Sequence, residues 1–120
     1  MKAIIYHNPR CSKSRETLAL LREHGVEPTV IEYLRSPPDT ATLQGLLRQL
    51  GRPARDLLRR GEAAFSELDL AARLDDEAAL IAALVAHPVL LERPVVVIGE
   101  RAAIGRPPEA VLTLLTDTTS

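Results

Sequence analysis

The chain carries one cysteine, Cys11, and the residues around it are those whose types and spacing could do chemistry. Cys11 follows His7-Asn8-Pro9-Arg10 and marks the point where a short apolar run gives way to helical periodicity. At a helix start, unbonded amides and the positive end of the helix dipole favour a thiolate over a thiol. His7, if positively charged, would add to that effect, and Arg10, Lys13 and Arg15 crowd the same loop. Ser14 replaces the second cysteine of a C-x-x-C pair. Its hydroxyl can donate to the thiolate but cannot close a disulfide. The plain alternative is a Cys11 that is a small buried hydrophobe and a His7 that merely ends a strand; the strand–Pro–Cys–helix context favours the reactive thiol.

A phosphatase cradle of C-x5-R form would need arginine at position 17, which is Thr17, and no His/Asn pair suggests a cysteine protease. What the chain offers instead is arginine at the ends of elements. Arg93 precedes Pro94 before a buried strand, and Arg106 precedes Pro107 before the last helix. Arg59 and Arg60 belong to a basic stretch over residues 52–60. A guanidinium is always charged and presents a fork matched to tetrahedral oxyanions. Each of these arginines alone reads as a solvated surface group; two of them together with a helix-start cysteine suggest an anion-plus-thiolate pocket. His24 and His87 have no metal partners in the sequence, and no metal site is expected.

Composition narrows the classes further. The 120 residues are 46% hydrophobic and 26% charged, as in a soluble globular chain of one domain. A formal charge of -1 and a pI near 6.3 argue against a nucleic-acid partner bound through a basic face. One cysteine excludes a disulfide framework within the chain. The N-terminal apolar run is too short for a signal peptide and no window approaches a membrane span, so a cytoplasmic protein with no membrane partner is expected.

The elements that must position these residues are legible from pattern. Residues 2–6 read as a strand, 12–24 as a helix stopped by Gly25, and 29–33 as a second strand. Asp39 or Thr40 caps a helix to about Leu50, a short helix follows over 54–60, and the acid-rich stretch 62–77 reads as a solvated connection. Asp75 or Asp76 opens a helix that is apolar on nearly every side. Val95–Ile98 reads as a buried strand with a hairpin partner over 102–104, and Pro107-Pro108-Glu109 as the start of a last helix. The end of the chain, 116–120, is read as fraying. The order β-α-β, helices, β-β-α suits an α/β fold, a small sheet flanked by helices with a helical insertion, about residues 39–88, between its halves.

Taken together, YHNPRCSKSRETLALL, the LLR of residues 57–59, HPVLLERPVVV over 87–97 and IGRPPEAVL over 104–112 resemble the glutaredoxin-linked arsenate reductase family. The resemblance spans residue 4 to about 115 and is specific through its combination of motifs. It implies a thioredoxin-like mixed sheet and a cis peptide before Pro94. It implies Cys11 as the nucleophile that attacks arsenate, His7 helping to keep it ionised, and Ser14 hydrogen-bonding near it. Arg59, Arg93 and Arg106 would hold the oxyanion, with Arg60 the alternative to Arg59. It further implies no bound cofactor, glutathione as co-substrate and glutaredoxin as the protein partner, since one cysteine cannot supply two electrons without an external thiol. Two other readings are a general glutathione-linked thiol oxidoreductase and a non-catalytic redox-type regulator of the same fold; Ser14 removes the C-x-x-C switch that the latter uses.

Overall fold

The computed structural model describes residues 2–116, so the fraying expected at the chain end falls, from Asp117 onward, outside the described residues. The chain forms two compact units, one from residues 1–36 with 93–120 and the other from residues 37–92.

The first unit contains β1 (Ala3–His7), α1 (Ser12–Glu23), β2 (Thr29–Glu32), β3 (Val95–Ile98), β4 (Arg101–Ile104) and α5 (Thr113–Thr116). The strand order is β2-β1-β3-β4. Parallel strands need a crossover, and α1 supplies it between β1 and β2. The other two pairings are antiparallel, with Tyr6 opposite Val95 and Val95 opposite Ile104. That register decides where the chemistry can be. The C-terminal end of β1, the N-terminal end of β3 and the C-terminal end of β4 meet at one edge of the sheet. Cys11, Arg93 and Arg106 leave from those three ends.

Alternation along the strands builds the core. Ala3, Ile5, Val96 and Ile98 pack with Leu21 of α1 and with Val111 and Leu114 near the chain end. Tyr6, Val95 and Val97, on the opposite face, are buried as well, which is why β3 reads as an unbroken apolar run. β2 is an edge strand and leaves Val30 exposed. Helix α1 stops at Gly25, whose left-handed φ of 78° would strain any other residue, while Val26 N–H returns to Leu21 O at 2.9 Å.

The second unit holds α2 (Thr40–Leu50), α3 (Ala63–Glu67) and α4 (Glu77–Ala86), joined by 3-10 turns. Asp39 caps α2 by accepting from Thr42 N at 2.8 Å, and Asp76, not Asp75, caps α4 by accepting from Ala79 N at 3.1 Å. Helix α2 packs on α4, and their buried residues include Leu43, Leu46, Leu80 and Leu84.

Four expectations are corrected. Residues 54–60 do not form one helix. A 3-10 turn covers Ala54–Leu57, and Leu58 then extends to bridge Leu91, with Arg59 N donating to Leu90 O and Glu92 N to Leu57 O, both at 2.7 Å. The last helix begins as a 3-10 turn, Pro108–Leu112. Pro107 and Pro108 both lack an amide donor, and Ala110 N closes on Pro107 O at 2.9 Å instead. Helix α4 buries one face and exposes alanines on the other. The acidic stretch is not wholly solvated: the Glu77 carboxylate accepts from Ala54 N, and Glu62 is half-buried against Arg59.

Because Ile5 is fully buried at the centre of the sheet, Ile5→Ala is expected to cost about 2–5 kcal/mol. Urea denaturation followed by circular dichroism measures this; a loss below about 1 kcal/mol would remove Ile5 from the core.

Candidate active site

Cys11 is the N-cap residue of α1, in extended conformation. Its amide donates to Asn8 O at 3.0 Å, closing the tight turn that Pro9 and Arg10 make after β1. The side chain is 9% exposed. Burial pushes its titration up. That effect is outweighed by the Ser14 amide, by a hydrogen bond and the positive charge of Arg93, and by the Lys13 amide, so the thiol titrates below its ordinary value.

Arg106 approaches the same sulfur, its Nη2 lying 3.7 Å from Sγ, while its Nε donates to Arg93 O at 2.8 Å. One edge of the fork is therefore fixed on the backbone just before Pro94, and the other is aimed at the sulfur. Arg106 is exposed, so its charge is screened more than that of half-buried Arg93. The Arg93–Pro94 and Arg106–Pro107 peptides are both cis; the second was not anticipated from sequence.

His7 and Ser14 have different partners from those the spacing suggests. Ser14 Oγ accepts from Asn8 N at 3.0 Å and lies 2.6 Å from His7 Nδ1. Ser14 Oγ thus ties the Asn8 amide to the His7 ring, and whether Oγ or Nδ1 donates in that pair follows the ring tautomer. Burial, more than any nearby charge, lowers the His7 pKa below its usual value, so the ring is neutral near pH 7. His7 thus meets Ser14 across the turn, and burial works against a positive charge on its ring. Ser14 serves the sulfur through its amide; its hydroxyl is committed elsewhere. Arg10, Lys13 and Arg15 contribute less than their number suggests. Lys13 is 3.6 Å from Glu16, and Arg15 donates to Pro9 O.

Gly105 is a packing residue that the sequence did not single out. A Cβ there would lie 2.6 Å from Thr17 Oγ1 and 2.8 Å from Pro94 Cγ. Thr17 is fully buried in α1 and donates to Lys13 O. Gly105 N donates to Pro94 O at 2.8 Å. This contact sets how closely the backbone carrying Arg106 approaches the helix carrying Cys11.

Arg59 belongs to the second unit. It is half-buried, with Glu62 3.4 Å from Nε and Glu92 3.3 Å from Nη1, whereas Arg60 is exposed. Among the described residues no group of three or more histidine, cysteine or acidic side chains could hold a metal ion, and no helix is long and apolar enough to cross a membrane.

A mixed sheet of this order, with one cysteine of lowered titration at the start of its crossover helix, is that of a thioredoxin-like protein. Comparison with known proteins narrows the class. The ArsC family matches residues 6–114, and the chain belongs to that family. The uncharacterized protein YfgD of Escherichia coli strain K12 is 57% identical over 112 residues, 92% of this chain and 94% of that protein. An arsenate reductase of Haemophilus influenzae is 43% identical over 116 residues, covering 96% of this chain and all of that one. The solved arsenate reductase of Vibrio cholerae superposes with a TM-score of 0.90 at 48% identity, over 94% of this chain and 97% of that one.

The rate of Cys11 alkylation by iodoacetamide is expected to rise with pH and level off at a midpoint below that of an ordinary thiol, about 8.5. Removing the positive charge in Arg93→Ala must move the midpoint upward, because the thiolate loses an attraction that the thiol never had. A midpoint indifferent to Arg93 would mean that the guanidinium does not act on the sulfur.

Proposed function

We propose that the protein reduces arsenate to arsenite, with Cys11 as the nucleophile. The observation that carries this reading is the convergence of Arg93 and Arg106 on one ionisable sulfur. It is supported by relatives named arsenate reductase at 42–44% identity over nearly the whole chain.

An oxyanion approaching a thiolate meets repulsion between like charges. Guanidinium groups on both sides offset it, and in a partly desolvated site each is worth more than in water. The Cys11 sulfur attacks arsenic, one arsenate hydroxyl leaves as water after taking a proton, and a Cys11–As(V) bond forms. Arsenic is not yet reduced at this stage. The chain has no second cysteine, so the electrons must come from external thiols. Glutathione adds to arsenic with loss of a second water. A glutaredoxin thiolate then attacks the glutathione sulfur and removes it as a mixed disulfide. The As–S bonding pair stays on arsenic, which becomes As(III). Water finally cleaves the Cys11–As bond, releasing arsenite and the free thiol.

In this reading Arg93 and Arg106 hold the oxyanion, and Arg59 is the third anion ligand, chosen over Arg60 because it is the half-buried one of the doublet. Ser14 and His7 position the nucleophile loop. Glutathione is a co-substrate, no cofactor is bound, and the cytoplasm, where glutathione keeps thiols reduced, is the fitting compartment.

NADPH consumption coupled through glutathione, glutaredoxin and glutathione reductase tests the reading. Arsenate should drive turnover, and Cys11→Ser should abolish it without loss of the folded circular dichroism spectrum. Arg93→Ala should lower kcat/KM for arsenate by about a hundredfold or more. Turnover retained by Cys11→Ser would exclude the nucleophile, and no arsenate-dependent oxidation by the intact protein would exclude the substrate.

A further inference from the structure

Thr17 occupies the position at which a C-x5-R cradle would carry arginine. It is fully buried in α1, and a buried hydroxyl needs a partner. Thr17 Oγ1 donates to Lys13 O at 2.7 Å; the other acceptor within reach, Gly105 O, is 3.5 Å away. A hydroxyl has one proton, and the short contact takes it. The Lys13 carbonyl belongs to the same peptide unit as the Ser14 N–H. That N–H is the largest of the influences that favour an ionised Cys11 sulfur. One planar peptide therefore has a buried hydroxyl at its oxygen end and the reactive sulfur at its N–H end.

We propose that Thr17 is a positioning residue for the nucleophile: through the Lys13–Ser14 peptide, its hydroxyl orients and polarises the N–H that Ser14 presents to the Cys11 sulfur. This rests on Cys11 being the nucleophile of the proposed reaction. Two effects act in the same direction. The peptide is planar, so a bond that fixes its oxygen also fixes the direction of its N–H. At the first turn this matters more than elsewhere, because those amides have no helical partner of their own to hold them. Donation to the carbonyl also draws electron density toward oxygen and makes the N–H a better donor; linked hydrogen bonds strengthen one another by about 10–30%. The charged groups that face the sulfur are Arg93 and Arg106, and His7 reaches the same turn through Ser14 Oγ. Thr17 has no hydrogen bond to any of them among the described residues, so its effect is separable from theirs.

Two pairs of proteins isolate the hydroxyl. Thr17→Val keeps the shape of the intact side chain and removes the hydroxyl. Thr17→Ser and Thr17→Ala both lack the methyl group and differ from each other only in the hydroxyl. The readout is the midpoint of the pH profile of Cys11 alkylation by iodoacetamide. Loss of a group that favours the thiolate must raise that midpoint. It is expected about half a unit higher in Thr17→Val than in the intact protein, and about half a unit higher in Thr17→Ala than in Thr17→Ser. Thr17→Ser should keep the midpoint of the intact protein while its Tm falls, since only packing is lost. Equal midpoints in Thr17→Ser and Thr17→Ala would overturn the proposal and leave Thr17 a packing residue, and so would a Thr17→Val midpoint equal to that of the intact protein. If thermal melting shows Thr17→Val unfolded, the serine and alanine pair decides. Alkylation reads the sulfur without arsenate, so an intact protein that does not turn over arsenate counts against the proposed function and not against the action of Thr17 on Cys11.

Discussion

The structure around Cys11 is organised by one electrostatic constraint: ionisation of a sulfur largely withdrawn from water must be favoured against its burial. Burial alone does the opposite, favouring the neutral thiol. The offset comes from amides at the start of α1 and from a guanidinium with a fixed origin, and neither can be supplied by a flexible loop. The lowered titration of the sulfur is therefore a property of the fold. Tyr6 pairs with Val95 and Val95 with Ile104, and this register alone delivers the cysteine and both arginines to one end of the sheet. A slip of one residue in β3 would turn its buried side chains over and carry Arg93 away from the sulfur.

Support for that arrangement is layered. Asn8 anchors the turn before α1 three times over, through its carbonyl to Cys11, through its amide to Ser14, and through its side chain to the Arg10 amide. His7 and Ser14 close the turn from beneath. Arg93 contributes from both ends, its guanidinium acting on the sulfur while its carbonyl receives Arg106. A substitution at 93 keeps that carbonyl, but both guanidinium groups act on the same sulfur, so the two arginines are a coupled pair and their effects should not add.

Much of this was legible in the residues. The Val95–Ile98 run, Gly25 after a helical stripe and Asp39 before another are local signals with local causes, and the elements follow them. Cys11 at a helix start was readable for the same reason. What was not readable depends on partners distant in the chain. The roles of His7 and Ser14 could not be assigned without knowing that their side chains meet across the turn. Nothing in IGRPP announces that Gly105 touches Thr17 and Pro94. The 54–60 segment has helical composition, but Leu57 and Arg59 exchange backbone hydrogen bonds with Glu92 and Leu90, a tertiary demand that overrides propensity. Glu62 read as part of an acidic, solvated stretch until its distance to Arg59 was known.

The missing Cβ at Gly105 has one more consequence. The space between Thr17 and Pro94 is a fixed quantity shared by positions 17 and 105. Any side chain gained at one must be surrendered at the other. Relatives in which position 105 has grown should therefore have shrunk at 17 or hold their helix farther from the proline. Volume exchanged between these two positions, neither of which needs to touch a reacting atom, is a route by which this scaffold can retune the spacing of its reactive groups while leaving them in place.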